Sequence, residues 1–447
     1  MKKFTLAAVA AALVGSMVPA SADLTIPLLS YRTGPYAPNG IPYADGVTDY
    51  INMINARDGG VGGVPINLLE CETGYNTERG VECYESTKGQ GSLVYFPLST
   101  GITYQLIPKA TADDIPIHSM GYGRTSAADG NTFSHVFNFP GTYWDAASII
   151  IKHMMDMEGG SLDGKKVALV YHNSAYGKEP IRTLEELSKK HGYELLLLPV
   201  DHPGQEQKST WLQVRKEKPD FVTMWGWGVM NQVAISEAAS IRFPMDRFIG
   251  VWWSASENDV LPAGAKSDGY KAIAMNRPGT DFGAYRDIQK HVIDAGNAAG
   301  AGDQVGTILY SRGMLNAAYM VEAIRTAQKI HSAGDITPGM MRDGLENLKI
   351  DQARWTEMGF DNFTSTIDVT CENHGGPGLG AIQQWDASSK TWSLITDFVG
   401  ADRDVVDALI EADASAYAAE NNISGHCKSV SYTHLRAHET KANLVCR

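Results

Sequence analysis

The residues able to do chemistry cluster in short loops rich in glycine, small hydroxyls and aromatic rings. One set reads Tyr31-Arg32-Thr33-Gly34-Pro35-Tyr36, Pro97-Leu98-Ser99-Thr100-Gly101 and Met120-Gly121-Tyr122-Gly123-Arg124-Thr125. The other reads His172-Asn173-Ser174-Ala175-Tyr176-Gly177, Trp225-Gly226-Trp227-Gly228 and Trp252-Trp253-Ser254. Ser99, Thr100 and Gly121 open or precede helices, where free backbone N–H groups hold an anion. Arg32 and Arg124 offer planar forks for a carboxylate. Tyr36, Tyr122, Tyr176, Trp225, Trp227, Trp252 and Trp253 offer ring faces to a quaternary ammonium or a flat apolar body. Glu257, shortly after the tryptophan pair, is the candidate to meet an ammonium. Such a set holds a small organic solute and does not transform it.

Enzyme signatures are missing from the sequence. It has no Gly-x-Ser-x-Gly elbow, no His-Glu-x-x-His helix and no Walker-type phosphate loop. Gly59-Gly60-Val61-Gly62-Gly63 precedes a strand, not a helix. His118 and His172 read as structural residues near strand ends, and Asp113-Asp114 as a solvated helix end. No catalytic residue and no cofactor is expected. An exported hydrolase remains the rival from another class.

Setting Cys446 aside leaves Cys71, Cys83, Cys371 and Cys427, an even set suited to an oxidising compartment. Cys71–Cys83 is the expected local bridge, with Cys371–Cys427 tying down the C-terminal segment. Four cysteines allow three connectivities. The alternative is a zinc site from Cys371-x-x-His374 and His426-Cys427, against which the irregular spacing weighs, so no metal is expected.

The elements that must carry these loops alternate, as in a parallel sheet with crossover helices. Strands are expected at 24–29, 66–69, 93–96 and 115–119, then at 166–171, 194–200, 221–224, 247–251 and 271–275. Between them lie helical patterns such as 77–88, 144–157, 178–191, 206–217 and 230–241. Later helices are expected at 280–298, 307–330 and 337–345. The first helix shows its apolar face as Ile41, Ala44, Val47, Ile51 and Ile54. Each loop named above leaves the carboxyl end of one of these strands, where open parallel sheets bind ligands.

The two ends read differently. Lys2 and Lys3, an apolar run over 4–14 and Ala20-Ser21-Ala22 form an export signal cut near Ala22. The run is too short to span a bilayer. Residues 430–447 resemble translated sequencing-adapter read-through and are set aside as a non-native tail. The formal net charge of −13 and the lack of any Lys/Arg run exclude nucleic acid as a partner class.

From residue 23 to about 398 the chain resembles the solute-binding proteins of branched-chain amino-acid-type ABC transporters. The matching features are Gly34-Pro35 before a long first helix, the Ser99-Thr100-Gly101 turn and Asn173-Ser174-Ala175-Tyr176-Gly177. Further along are Tyr310-Ser311-Arg312-Gly313 leading into Glu322-Ala323-Ile324, and Trp385-Asp386. The resemblance implies an α/β, two-lobed class I periplasmic-binding-protein fold, each lobe a mainly parallel sheet flanked by helices, with a hinge of three crossovers. It implies a first lobe over 23–140, a second over 141–275, a return to the first over 276–370 and a C-terminal segment over 371–428, mainly in the second. Ser99, Thr100 and the loop 121–124 resemble carboxylate-holding turns, and Tyr176 the residue that closes over the ligand.

The chain departs from that family where amino-acid binders usually place a carboxylate, since Val251-Trp252-Trp253 stands there. Met314 stands where many relatives carry an aromatic contact. An unpaired buried ammonium costs several kcal/mol, so amino acid, amide, aromatic acid and quaternary amine all stay open. The expected protein is a periplasmic monomer that captures a small-molecule solute between its lobes and delivers it to a cognate ABC permease in the inner membrane. The alternative is a ligand-binding sensor partner of the same fold.

Overall fold

The computed structural model describes residues 23–427, so the expected signal (1–22) and tail (430–447) lie outside the described residues. Its first strand, β1 (Leu24–Ser30), is buried at every position. A continuous apolar run suits a strand covered on both faces. β1 pairs in parallel with β2 (Ile66–Glu72), from Leu24 opposite Ile66 to Ser30 opposite Glu72. On its other side β1 bridges residues 92–96 at Ser92 and Phe96, and Tyr95 bridges Ile117. There β3 (Ile117–His118) pairs in parallel with β4 (Val136–Phe137).

The second sheet has eight strands. β5 (Lys166–His172), β6 (Glu194–Val200), β7 (Phe221–Trp225), β8 (Phe248–Gly250) and β9 (Lys271–Ala274) run parallel. After the short pair β10 (Lys349–Ile350) and β11 (Ile367–Asp368), β12 (Leu379–Asp386) joins antiparallel to β9, with β13 (Thr391–Leu394) and β14 (Val399–Gly400) on β12. The order is β13-β12-β9-β8-β7-β5-β6. This is the expected mixed α/β architecture, with the sheet mainly parallel and flanked by helices. The chain enters this sheet after β4, leaves it after β9 and rejoins it at β12.

Helix boundaries follow local chemistry. Thr142 and Asp145 form a reciprocal capping box at the start of helix Tyr143–Met157. The single helix expected over 178–191 is two, Ala175–Lys178 and Ile181–His191, with Pro180 at the break. The stretch expected as one helix over 280–298 is a short helix, Gly283–Ile288, followed by a wide turn through Gln289–Ile293. Beyond the expected elements lie β12–β14 and the closing helix Arg403–Asn421. That helix touches both halves: Val406 and Leu409 pack with Trp144, and Ala414 with Phe133 and Val136. Cys71 is bonded to Cys83, and Cys371 to Cys427.

Helix Ala37–Asp58 lies directly on helix Ile308–His331, backbone against backbone. A Cβ added at Gly46 would sit 2.1 Å from the Tyr310 carbonyl oxygen, and one at Gly313 2.1 Å from that of Tyr43. Neither neighbour is a side chain that can swing away. Gly313→Ala is therefore expected to cost about 1–3 kcal/mol of stability by overpacking. Denaturant melts check this, and an unchanged midpoint would show that the helices separate freely.

Candidate functional site

The loops at the carboxyl ends of the two sheets face each other around a small cavity with about 20 Å3 of room for water-sized molecules. From the first sheet come Tyr31, Tyr75, Leu98, Ser99, Thr100 and Tyr122; from the second come Tyr176, Trp227 and Trp253. Tyr143, first residue of its helix, closes one side. That is room for little more than a single water, so the walls stand nearly closed on one another. No charged side chain lines it among the described residues.

Polar groups of the wall are partly engaged with one another. The Trp227 indole donates to the Tyr31 hydroxyl (2.9 Å), which keeps its own hydrogen to donate. The Leu98 N–H donates to the Tyr122 hydroxyl (2.8 Å), and the Tyr176 hydroxyl donates to the Gly226 carbonyl (2.9 Å). Ser99 caps its helix by accepting from the Ile102 N–H, and Thr100 accepts from Gly123. Burial pushes the Tyr31, Tyr122, Tyr143 and Tyr176 hydroxyls well above the usual tyrosine range. They stay protonated, so the cavity offers uncharged donors at any working pH.

Of the residues anticipated from sequence, Ser99, Thr100, Tyr122, Tyr176, Trp227 and Trp253 line the cavity. The others sit elsewhere. Arg32 is spent in ion pairs with Asp45 and Glu70, both 2.6 Å. Arg124 pairs with Asp413 at 2.6 Å and lies over the Tyr417 ring at 4.7 Å, fastening helix Arg403–Asn421. Neither guanidinium reaches the cavity, because each meets a carboxylate distant in sequence. Tyr36 backs Tyr75 (rings 4.3 Å apart) and shares a 2.8 Å hydrogen bond with His172. Gly121, with φ +67°, contributes a carbonyl that accepts both the Trp252 (2.8 Å) and Trp253 (3.1 Å) indole N–H groups. Trp252 stacks on Tyr143 at 6.3 Å, and Trp225 is fully buried with no partner for its indole nitrogen. Both support the wall from outside it.

Glu257 is also displaced: its carboxylate accepts from the Ile308 N–H at 3.0 Å, at the start of helix Ile308–His331. Burial pushes it up to about 7, against the pull of Arg312. Nearby Asp259 accepts from Asn231 (3.1 Å) on its own side and from Asn39 (3.2 Å) on helix Ala37–Asp58, and burial pushes it up to about 6. A carboxyl raised on folding contributes stability that is complete below its unfolded value, near 4.5, and lost as pH rises through 7. Glu257→Gln mimics the protonated form. The variant is expected to match the parent below pH 4.5 and exceed it by up to roughly 3 kcal/mol above pH 7. Melting curves at pH 4.5 and pH 8 check the sign, and a less stable variant at pH 8 would refute it.

Three contributors were not singled out from sequence. Tyr75 holds φ +61° just past β2, and Tyr143 enters from a crossover helix, not a strand-end loop. Arg312 is fully buried, finds no hydrogen-bond partner for its three guanidinium nitrogens, and lies 5.6 Å from the Trp253 ring centre. Burial pushes it down to about 9, so it remains a cation at neutral pH. A positive charge thus stands against a ring of the cavity wall.

A family model described as periplasmic binding protein matches residues 23–390. A solved structure described as an ABC transporter permease from the Pseudomonas fluorescens group is 38% identical, with 91% of this chain and 99% of that chain covered and a TM-score of 0.83. A branched-chain amino acid ABC transporter protein from Thermus thermophilus with bound valine is 19% identical, covering 87% and 99% with a TM-score of 0.74. A solute-binding protein from R. palustris in complex with benzoate is 14% identical, covering 85% and 98% with a TM-score of 0.65. These last two share the fold. No curated protein is similar enough in sequence to count as a match.

Proposed function

Because the chain belongs to the periplasmic binding protein family, we propose that it captures a small solute in the cavity between its two sheets and delivers it to an ABC permease, without catalysis. The lobes are 23–140 with 276–370, and 141–275 with most of 371–428, closing on the solute like a hinge. The leader directs export to the periplasm, where the protein works as a monomer.

The solute has a flat or compact apolar body and a hydrogen-bond-accepting head, a small aromatic monocarboxylate or its amide. The observation that carries this reading is a wall of rings and hydroxyls with no carboxylate. An ammonium would lose its water there and meet no counter-charge, at a cost of several kcal/mol. A carboxylate or amide oxygen instead meets the Tyr31 hydroxyl and the Ser99-Thr100 turn, and a body between rings gains about 0.5–1.5 kcal/mol per pair beyond burial. A quaternary amine is the second reading, supported by the same rings.

A thermal-shift screen with benzoate, benzamide, betaine and valine separates these classes, since stabilisation grows with ligand concentration over Kd. Benzoate or benzamide is expected to bind at micromolar Kd or tighter, about −8 kcal/mol. Stabilisation by valine alone would overturn the ligand class. Turnover of any of these compounds would overturn the binding function.

A further inference from the structure

The geometry points to Glu179 as a latch that holds the two lobes closed over the solute, acting on its retention without lining the cavity. Glu179 follows helix Ala175–Lys178, between β5 and β6 of the second sheet. Its main chain is fixed on that side, where its carbonyl accepts from the Trp144 indole at 2.8 Å. The side chain reaches the other lobe. One carboxylate oxygen accepts from the Tyr104 hydroxyl, and the other from the Thr125 N–H at 3.2 Å. Tyr104 sits on helix Thr100–Ala112 and Thr125 in the turn between β3 and β4, both among the elements of the first sheet. The two bonds join residues 75 and 54 positions apart. Arg124, the cation that acts on this carboxylate, is itself paired with Asp413 at 2.6 Å. The latch is therefore closed by two uncharged donors, a phenol and a backbone amide.

Both ends of the latch stand close to the cavity wall. Tyr104 lies one helical turn beyond Thr100, about 6 Å along the axis, and Glu179 shortly follows Tyr176. Thr100 and Tyr176 line the cavity on opposite sides, so parting the walls parts the latch. Glu179 is 9% exposed in the closed form, where a carboxylate oxygen left without a donor is costly. In the open form the same oxygens meet water. Removing a donor thus penalises the closed form alone. Ordinary packing differs, because its loss weakens both forms. The inference rests on the hinge closure proposed above and adds the residues that hold it shut.

The test is stopped-flow and calorimetric titration of the full chain with benzoate, together with hydrogen exchange at the Thr125 amide, which needs no solute. Tyr104→Phe and Glu179→Ala are expected to weaken benzoate binding about ten- to a hundredfold, the range for a hydrogen bond to a charged group. The loss should appear as faster release with an unchanged on-rate. Glu179→Gln is expected to restore affinity, because its amide oxygen accepts from Thr125 and its NH2 donates to the Tyr104 oxygen. Thr125 should be protected from exchange in the parent and in Glu179→Gln, and lose that protection in Glu179→Ala. Unchanged release in Tyr104→Phe, with a melting temperature lowered equally with and without benzoate, would reduce the contact to packing. If the parent fails to bind benzoate, the aromatic-acid reading falls and exchange alone decides. Equal Thr125 protection in the parent and in Glu179→Ala then overturns the latch.

Discussion

Trp253→Ala is expected to weaken solute binding by about 2–4 kcal/mol, the loss typical of a buried aromatic anchor. The ring lines the cavity, and its edge or face meets Trp227 at 5.6 Å and Tyr43 and Tyr122 at 6.0 Å. Truncation would remove the stacking surface, free one lone pair of the Gly121 carbonyl and open Arg312 to the cavity. Trp252→Ala should act mainly on stability, because that ring packs on Tyr143 behind the wall. Calorimetric titration with the best solute from the screen, paired with melting curves of both variants, makes the comparison. Unchanged affinity in Trp253→Ala with a lower melting temperature would reduce the ring to core packing.

Cys371→Ser with Cys427→Ser is expected to cost about 4 kcal/mol by the chain-entropy relation for a loop of this length. The two cysteines are separated by 56 residues, and the loop holds β12–β14 and the closing helix. Opening Cys71–Cys83, with a separation of 12, should cost about 3 kcal/mol by the same relation. Denaturant melts of the two double variants check both the loss and its order. A larger loss at the shorter loop would mean that native packing, not unfolded-chain freedom, sets the effect.

Strands were legible because most are unbroken apolar runs between turn residues, and the strand-end rule then selected loops that face the cavity. The rule failed where its input did. β2 continues through Glu70, Cys71 and Glu72 in an alternating, half-exposed pattern, so the apolar run 66–69 ends short of the turn that holds Tyr75. Tyr143 belongs to a crossover and lies outside the rule altogether. Position along a strand also says nothing about partners: Arg124 finds Asp413 across 289 residues of chain, and no local pattern announces that pair. Trp252 and Trp253 share one tight turn, and only the three-dimensional path shows which ring faces inward.

The carbonyl of Gly121 has a consequence beyond holding the wall. It belongs to a loop of the first sheet, and both indoles that donate to it belong to the second. Hinge opening would hand both N–H groups to water at once, and an excited indole in a mobile polar solvent emits at longer wavelength than one held dry. Two of the protein's nine tryptophans would then serve as an unlabelled optical gauge of closure. Emission should move to shorter wavelength as solute is added and follow the same saturation curve as the calorimetric titration.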